Sequence, residues 1–218
     1  MPPFRLSGTV YGALLNHRSA LAVLGDAVNQ APYKAPPRAP VLYLKPRNTL
    51  IASGEVVSVP ADIMELEVAA SLAVVLGRTA CRVNVSEALD HVAGYLIVND
   101  VGVPHASHFR PRVSGKARDG FCPLGPLVAA RASVANPDAL TLRTFIDGVL
   151  VQATSTSELI RPVAQLLADV TEFMTLAPGD VLYVGAAAPA PRVRAGQSVS
   201  IDCPALGTLV NEFSQARP

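Results

Sequence analysis

The chain has 218 residues, half of them hydrophobic, and a formal net charge of +1. That length supports one sizeable core, and a balance so close to zero excludes a partner held by bulk charge, whether nucleic acid or membrane surface. There is no Trp, so Val, Leu, Ile and Ala must build the core, and the 19 prolines mark strand ends and turns because apolar runs sit between them.

Three cysteines, Cys81, Cys122 and Cys203, are odd in number and widely spaced. They show no zinc or redox spacing, which predicts reduced, partly buried thiols. No apolar stretch reaches membrane-spanning length. The apolar run at 10–15, downstream of Arg5, is broken by Asn16-His17-Arg18 before any small-residue cleavage site. This argues against a signal peptide and for a cytoplasmic protein.

Residues 10–15 read as a strand ending at Asn16, and a short helix is expected over 19–24, stopped by Gly25. Residues 31–40 are Pro-rich but form a connection rather than a domain linker, because Val41-Leu42-Tyr43-Leu44 resumes the core. Residues 55–59 alternate weakly and 72–76 form a continuous apolar run, so both predict strands, the second buried. Residues 86–93 predict a short capped helix ending at Gly94. Residues 95–98 predict a strand that runs into Asn99-Asp100. Segments 140–146 and 149–152 flank Asp147-Gly148, a pair that tolerates positive φ and predicts a hairpin. Residues 162–174 predict the best helix, with Val163, Leu166, Leu167, Val170, Phe173 and Met174 on one face. Strands over 181–184, 198–201 and 208–213 complete a β-rich α+β unit with few short helices and no internal repeat.

From residue 77 onward, short motifs follow one another in order: Gly77-Arg78-Thr79-Ala80, Val85-Ser86-Glu87-Ala88, Val92-Ala93-Gly94-Tyr95, Asn99-Asp100, Lys116-Ala117-Arg118-Asp119-Gly120 and Pro123-Leu124-Gly125-Pro126, then Gly148, Gln152 and Pro178-Gly179-Asp180. Together they resemble the fumarylacetoacetate hydrolase-like family. Asn16-His17-Arg18-Ser19, Pro32-Tyr33-Lys34-Ala35-Pro36-Pro37 and Lys45-Pro46-Arg47-Asn48-Thr49 resemble one branch of it, the amino-terminal half of the bifunctional isomerase/decarboxylases of 4-hydroxyphenylacetate (homoprotocatechuate) breakdown. The resemblance implies one domain over 1–218, a mixed β-sandwich roll with an amino-terminal arm and strand (1–50) packed on the roll (51–218). It implies a homodimer or a hetero-oligomer with a paralogous subunit, and a small anionic di- or tricarboxylate substrate. The implied chemistry is decarboxylation of 5-oxopent-3-ene-1,2,5-tricarboxylate and isomerisation of 2-hydroxyhepta-2,4-diene-1,7-dioate. The alternatives are a non-catalytic paralogue that stabilises a metal-bearing sister subunit, and an enzyme acting on another small oxo-acid.

Members of the family hold Mg²⁺ or Mn²⁺ with a Glu-x-Glu pair before the Gly77 position and an Asp at the Asn-Asp site. A hard dication takes several oxygens, and a strand presents residues i and i+2 on one face. Asp100 is the ligand retained here. Counted from Pro60 and from Gly77, the two Glu places fall on Ala69 and Ser71, so no metal is expected. Glu65-Leu66-Glu67 has the right spacing but lies four residues earlier, about 13 Å along an extended strand, and is expected as two solvated surface carboxylates. The family's lid dyad is missing too: His17 takes a Tyr place, and Ala20 and Val23 stand where His and Glu belong. The Gly-Thr-Pro loop has become Gly185-Ala186-Ala187.

The remaining set is cationic. Lys116 matches the family's substrate-binding Lys. Arg18, Lys45, Arg47 and Arg118 fall in site-lining segments, and with Gln152 they are expected to hold substrate carboxylates. Lys116, His17 and Asp100 are the expected catalytic residues. Lys116 would meet enolate charge as an ammonium or act as a Schiff base, and His17 would serve as a general base. His105 and His108 lie three apart with no third metal ligand by spacing, and are expected to face solvent or substrate.

Overall fold

The computed structural model describes residues 8–105, 107, 109 and 112–216. Arg5 and His108 lie outside them. Among the described residues the strands are β1 (Val10–Leu14), β2 (Val41–Lys45), β3 (Leu50–Ala52), β4 (Val56–Val59), β5 (Leu66–Glu67), β6 (Ala70–Leu76), β7 (Val92–Asn99), β8 (Cys122–Leu124), β9 (Ala129–Ala130), β10 (Thr141–Ile146), β11 (Val149–Ser155), β12 (Val181–Tyr183), β13 (Arg192–Val193), β14 (Ser198–Cys203) and β15 (Gly207–Gln215). The helices are α1 (Arg18–Leu24), α2 (Val113–Lys116) and α3 (Val163–Thr171).

One sheet runs in the order β2-β1-β12-β6-β7-β8-β3, with β9 also on β7, and a second runs β11-β10-β14-β15-β4. The edge strands of the first sheet, β2 and β3, are separated in sequence only by Pro46 and a 3₁₀ turn over Arg47–Thr49. A flat sheet cannot bring its two edges so close, so this one curls. Strand alternation gives it two apolar faces. Val10, Ala73, Val98, Cys122 and Tyr183 share one. Leu72, Val74 and Ile97 lie on the other, in the core that also holds Leu142, Ile201 and Leu166 of the second sheet and α3. The result is the expected strand-rich α+β architecture with curled sheets and few helices.

Gly12 lies opposite Tyr183 where β1 and β12 run parallel. A Cβ on Gly12 would fall 2.4 Å from the Tyr183 ring, so its absence lets the ring cross β1 and meet Tyr43 edge-on at 5.6 Å. The hairpin of β10 and β11 forms as expected, with φ of 50° at Asp147 and 79° at Gly148.

Two expectations are corrected. Residues 86–93 do not form a helix: only a 3₁₀ turn over Ala88–His91 forms, and Val92 already pairs with Leu76 as the start of β7. A short helix nucleates poorly, and the ladder offers each backbone group a partner. Helix α3 stops at Thr171, so Phe173 lies beyond it and is 62% exposed rather than on the buried face. Cys81 is exposed, Cys122 and Cys203 are buried, and all three are free. No helix among the described residues is long and apolar enough to cross a membrane.

Candidate active site

The site lies where β7 ends. Lys45, the last residue of β2, is buried at 1% exposure. Its Nζ donates at 2.8 Å to each of three backbone oxygens, those of Val101, Lys116 and Phe121. Asp100 Oδ1 lies 2.8 Å from the same Nζ. Three carbonyls take the three protons, so the contact with Oδ1 is charge on charge, and Oδ1 makes no hydrogen bond. Asp100 Oδ2 accepts from Lys116 Nζ at 2.6 Å and from the Tyr43 hydroxyl. Lys116 Nζ also stands 5.6 Å from the centre of the Tyr43 ring. Two ammonium groups against one carboxylate leave one net positive charge, and Lys116, 30% exposed, is the member that reaches the opening.

The electrostatics follow from burial and pairing. Burial pushes the Asp100 pKa up, but the ammonium groups of Lys116 and Lys45 overrule it and hold the carboxyl well below the usual range. Burial pulls the Lys45 pKa below its ordinary value against the pull of Asp100. Burial, then the charge of Asp100, raises the Tyr43 phenol well above its ordinary value. Burial pushes the neighbouring Cys122 thiol up to about 12, so it stays protonated and is no nucleophile. For Asp100 the folded state binds the proton less readily than the unfolded one. Its contribution to stability is therefore complete above the ordinary carboxylate pKa of about 4 and is lost as pH falls through the folded value. Urea unfolding from about pH 5 down to about pH 2 is expected to show stability falling more steeply in the wild type than in Asp100→Asn. Equal slopes would contradict the assigned charge state.

Beside this cluster lies a cavity of about 430 Å³, whose lining includes Leu14, Leu42, Glu67, His105, Arg112 and Lys116. Its shape, an apolar wall with a few converging charges, suits a small anion with a hydrocarbon body. The structure brings Lys116, Asp100 and Lys45 together, but Lys45 is corrected from a substrate contact to an interior post, since its protons are all spent on the backbone. Arg18 and Arg47 are exposed, Arg118 donates to the Ser114 carbonyl at 2.9 Å, and none of the three lines the cavity. His17 and Gln152 line a different cavity, of about 470 Å³, with Ser19 and Glu158. His17 caps α1, its Nδ1 accepting from the Ser19 N–H at 3.3 Å and lying 2.9 Å from Ser19 Oγ. Burial lowers its pKa, against the opposing pull of Glu158. Gln152 donates to the Pro189 carbonyl at 2.9 Å. His105 does line the Lys116 cavity. Sequence reading missed Arg112, which precedes α2 with no motif to mark it.

The resemblance sets the family's two Glu places at Ala69 and Ser71, beside Asp100. In the β6–β7 ladder Ala70 opposes Asn99, which sets Ala69 opposite Asp100. Ala69 accepts from the Asp100 N–H at 2.9 Å and donates to Asn99 Oδ1 at 3.1 Å. Ser71 Oγ donates to the Gly185 carbonyl at 2.9 Å. Among the described residues no three His, Cys, Asp or Glu side chains converge. With a methyl at one ligand place, a committed hydroxyl at the other and Asp100 bound by two lysines, the residues present do not fit a divalent ion.

Neither Glu65 nor Glu67 is the solvated carboxylate expected: Glu65, 25% exposed, pairs with Arg192 and Arg194, and Glu67 is a partly buried residue of the cavity wall. The ladder resumes its register past β6, pairing Glu67 with Gly102 through Glu67 N–H to Gly102 O at 2.8 Å and Gly102 N–H to Glu67 O at 3.0 Å. Glu67 therefore stands one diagonal step from Asp100 on the same face.

The fold matches known proteins. Residues 9–214 match the family described as fumarylacetoacetate (FAA) hydrolase, C-terminal. The 4-hydroxyphenylacetate degradation bifunctional isomerase/decarboxylase of Escherichia coli is 40% identical over 90% of this chain and 44% of its own length. The chain thus spans about half the length of this relative. Among solved structures, 5-carboxymethyl-2-hydroxymuconate delta-isomerase from Mycobacterium smegmatis is 28% identical with a TM-score of 0.82, over 98% of this chain and 81% of that one. The 2-hydroxyhepta-2,4-diene-1,7-dioate isomerase from Mycobacterium marinum is 27% identical with a TM-score of 0.78, over 100% and 78%.

Proposed function

The chain belongs to the fumarylacetoacetate hydrolase family, and on that premise we propose that it is a decarboxylase/isomerase of 4-hydroxyphenylacetate breakdown that meets anionic charge with lysine instead of a divalent ion. The observation that carries this is the Lys45–Asp100–Lys116 cluster, with one uncompensated positive charge at the mouth of a cavity sized for a small acid.

Lys116 and Arg112 receive the substrate's carboxylates. In decarboxylation the electrons of the breaking carbon–carboxylate bond flow through the conjugated double bond onto the ketone, CO₂ leaves and a dienolate oxygen develops. Lys116 lies where that charge can be met by a cation held in place by Asp100, and a preorganised cation stabilises such a transition state. Asp100 holds the Lys116 ammonium in place and Lys45 holds its backbone carbonyl, so both act as positioning residues.

The rival reading, a non-catalytic partner of a metal-bearing paralogue, draws on the lack of carboxylates at Ala69 and Ser71. One assay separates them. The purified chain is given 5-oxopent-3-ene-1,2,5-tricarboxylate and 2-hydroxyhepta-2,4-diene-1,7-dioate, alone and with such a paralogue. Turnover of either compound by the chain alone supports catalysis here; turnover only in the mixture establishes the partner role.

A further inference from the structure

We propose that Glu67 is the proton-transfer residue of this site, lining the same cavity as Lys116. This deepens the decarboxylase/isomerase reading and rests on it.

Four observations converge. Glu67 is pinned through both of its backbone groups to Gly102, at 2.8 and 3.0 Å. Such a hydrogen-bonded pair has its Cα atoms about 5.5 Å apart. The Lys116 side chain runs directly over Gly102: a Cβ there would meet Lys116 Cε at 3.0 Å and Nζ at 3.1 Å, so glycine is what admits the lysine. Asp100 holds the Lys116 ammonium at 2.6 Å, and Glu67 is the carboxyl-bearing residue that lines the same cavity as Lys116. Its side chain makes no hydrogen bond or ion pair among the described residues, whereas Asp100 is ion-paired with both lysines. Burial raises the Glu67 pKa, only partly offset by Lys116 and Arg192. A carboxyl that lines the cavity, is half-buried and is not spent on another side chain is placed to give a proton up and take one back.

The proton balance is simple. In the isomerisation the enol O–H of the diene-dioate releases its proton to water, and the dienolate oxygen is met by Lys116. Glu67 delivers its proton to the far carbon of the dienolate; a C–H bond forms, the double bonds shift and a ketone results. The Glu67 carboxylate then recovers a proton from water. After decarboxylation the same group protonates the dienolate carbon left by CO₂.

The test uses the full chain with Glu67→Gln, Glu67→Asp and Glu67→Ala, assayed on the diene-dioate. Glu67→Gln is expected to lower kcat by about 10²-fold or more, the usual share of a general acid–base group, with KM within about threefold and the thermal midpoint unchanged. Glu67→Asp keeps an intermediate rate, and added formate restores part of the activity of Glu67→Ala. A merely structural role predicts no rescue by formate. If the wild type turns over and Glu67→Gln matches it, the assignment of Glu67 is overturned while the enzyme reading stands. If the wild type turns over neither compound, the enzyme reading itself is overturned, and this inference with it.

Discussion

Lys116→Ala is expected to lower kcat/KM by about 10²–10³-fold, the loss seen when one preorganised partner of a developing oxyanion is removed. The fold should survive the change. The Lys116 side chain is 30% exposed, and the carbonyl that Lys45 grips at 2.8 Å is backbone and stays. Asp100 keeps Tyr43 and Lys45 as partners. Steady-state rates with far-ultraviolet circular dichroism on the same preparations check both halves. Lys116→Arg keeps the charge but replaces a compact ammonium with a broad planar fork, so it should recover only part of the rate. An alanine variant within about threefold of the wild type would remove Lys116 from the chemistry.

Lys45→Met carries the largest expected cost in stability, about 3–5 kcal/mol, the range for removing one partner of a buried ion pair. The side chain is fully buried, and its loss strands three carbonyl oxygens as well as Asp100 Oδ1. Urea unfolding should show the midpoint falling with little change in slope. The double variant Lys45→Met with Asp100→Asn should regain part of the loss, since it no longer buries a bare carboxylate. A cost below about 1 kcal/mol would mean that the charge cluster does not hold the folded core.

The fold was legible where local chemistry decides it. Asp147-Gly148 named the hairpin because both residues accept positive φ, and the apolar run of β6 named a strand buried on both faces. Local signals failed where pairing decides. The 86–93 segment carries a plausible helix pattern, yet Val92 is claimed by Leu76 across the ladder. Strands β5, β9 and β13 are two residues long and exist only through their partners.

The candidate site divides in the same way. Asp100 and Lys116 stand out in the sequence through their ordered motifs. Lys45 reads from the sequence as a substrate contact because it falls in a site-lining segment, and no local pattern announces three carbonyls waiting for an ammonium. Glu67 was set aside as half of a displaced Glu-x-Glu pair. Counting along one strand hid the cross-strand fact that matters: Gly102, two residues past Asp100, faces Glu67 and lets Lys116 pass over it. His17 was assigned a general-base role from its side chain, while its position at the start of α1 makes it a cap, in a cavity that Lys116 does not line.

Turnover after exhaustive treatment with a chelator is the most direct measurement of whether lysine charge stands in for a dication in this chain. Enzyme dialysed against EDTA is expected to keep its full kcat on the tricarboxylate, with no gain on adding Mn²⁺ or Mg²⁺. A loss of activity on chelation that either ion restores would contradict the account.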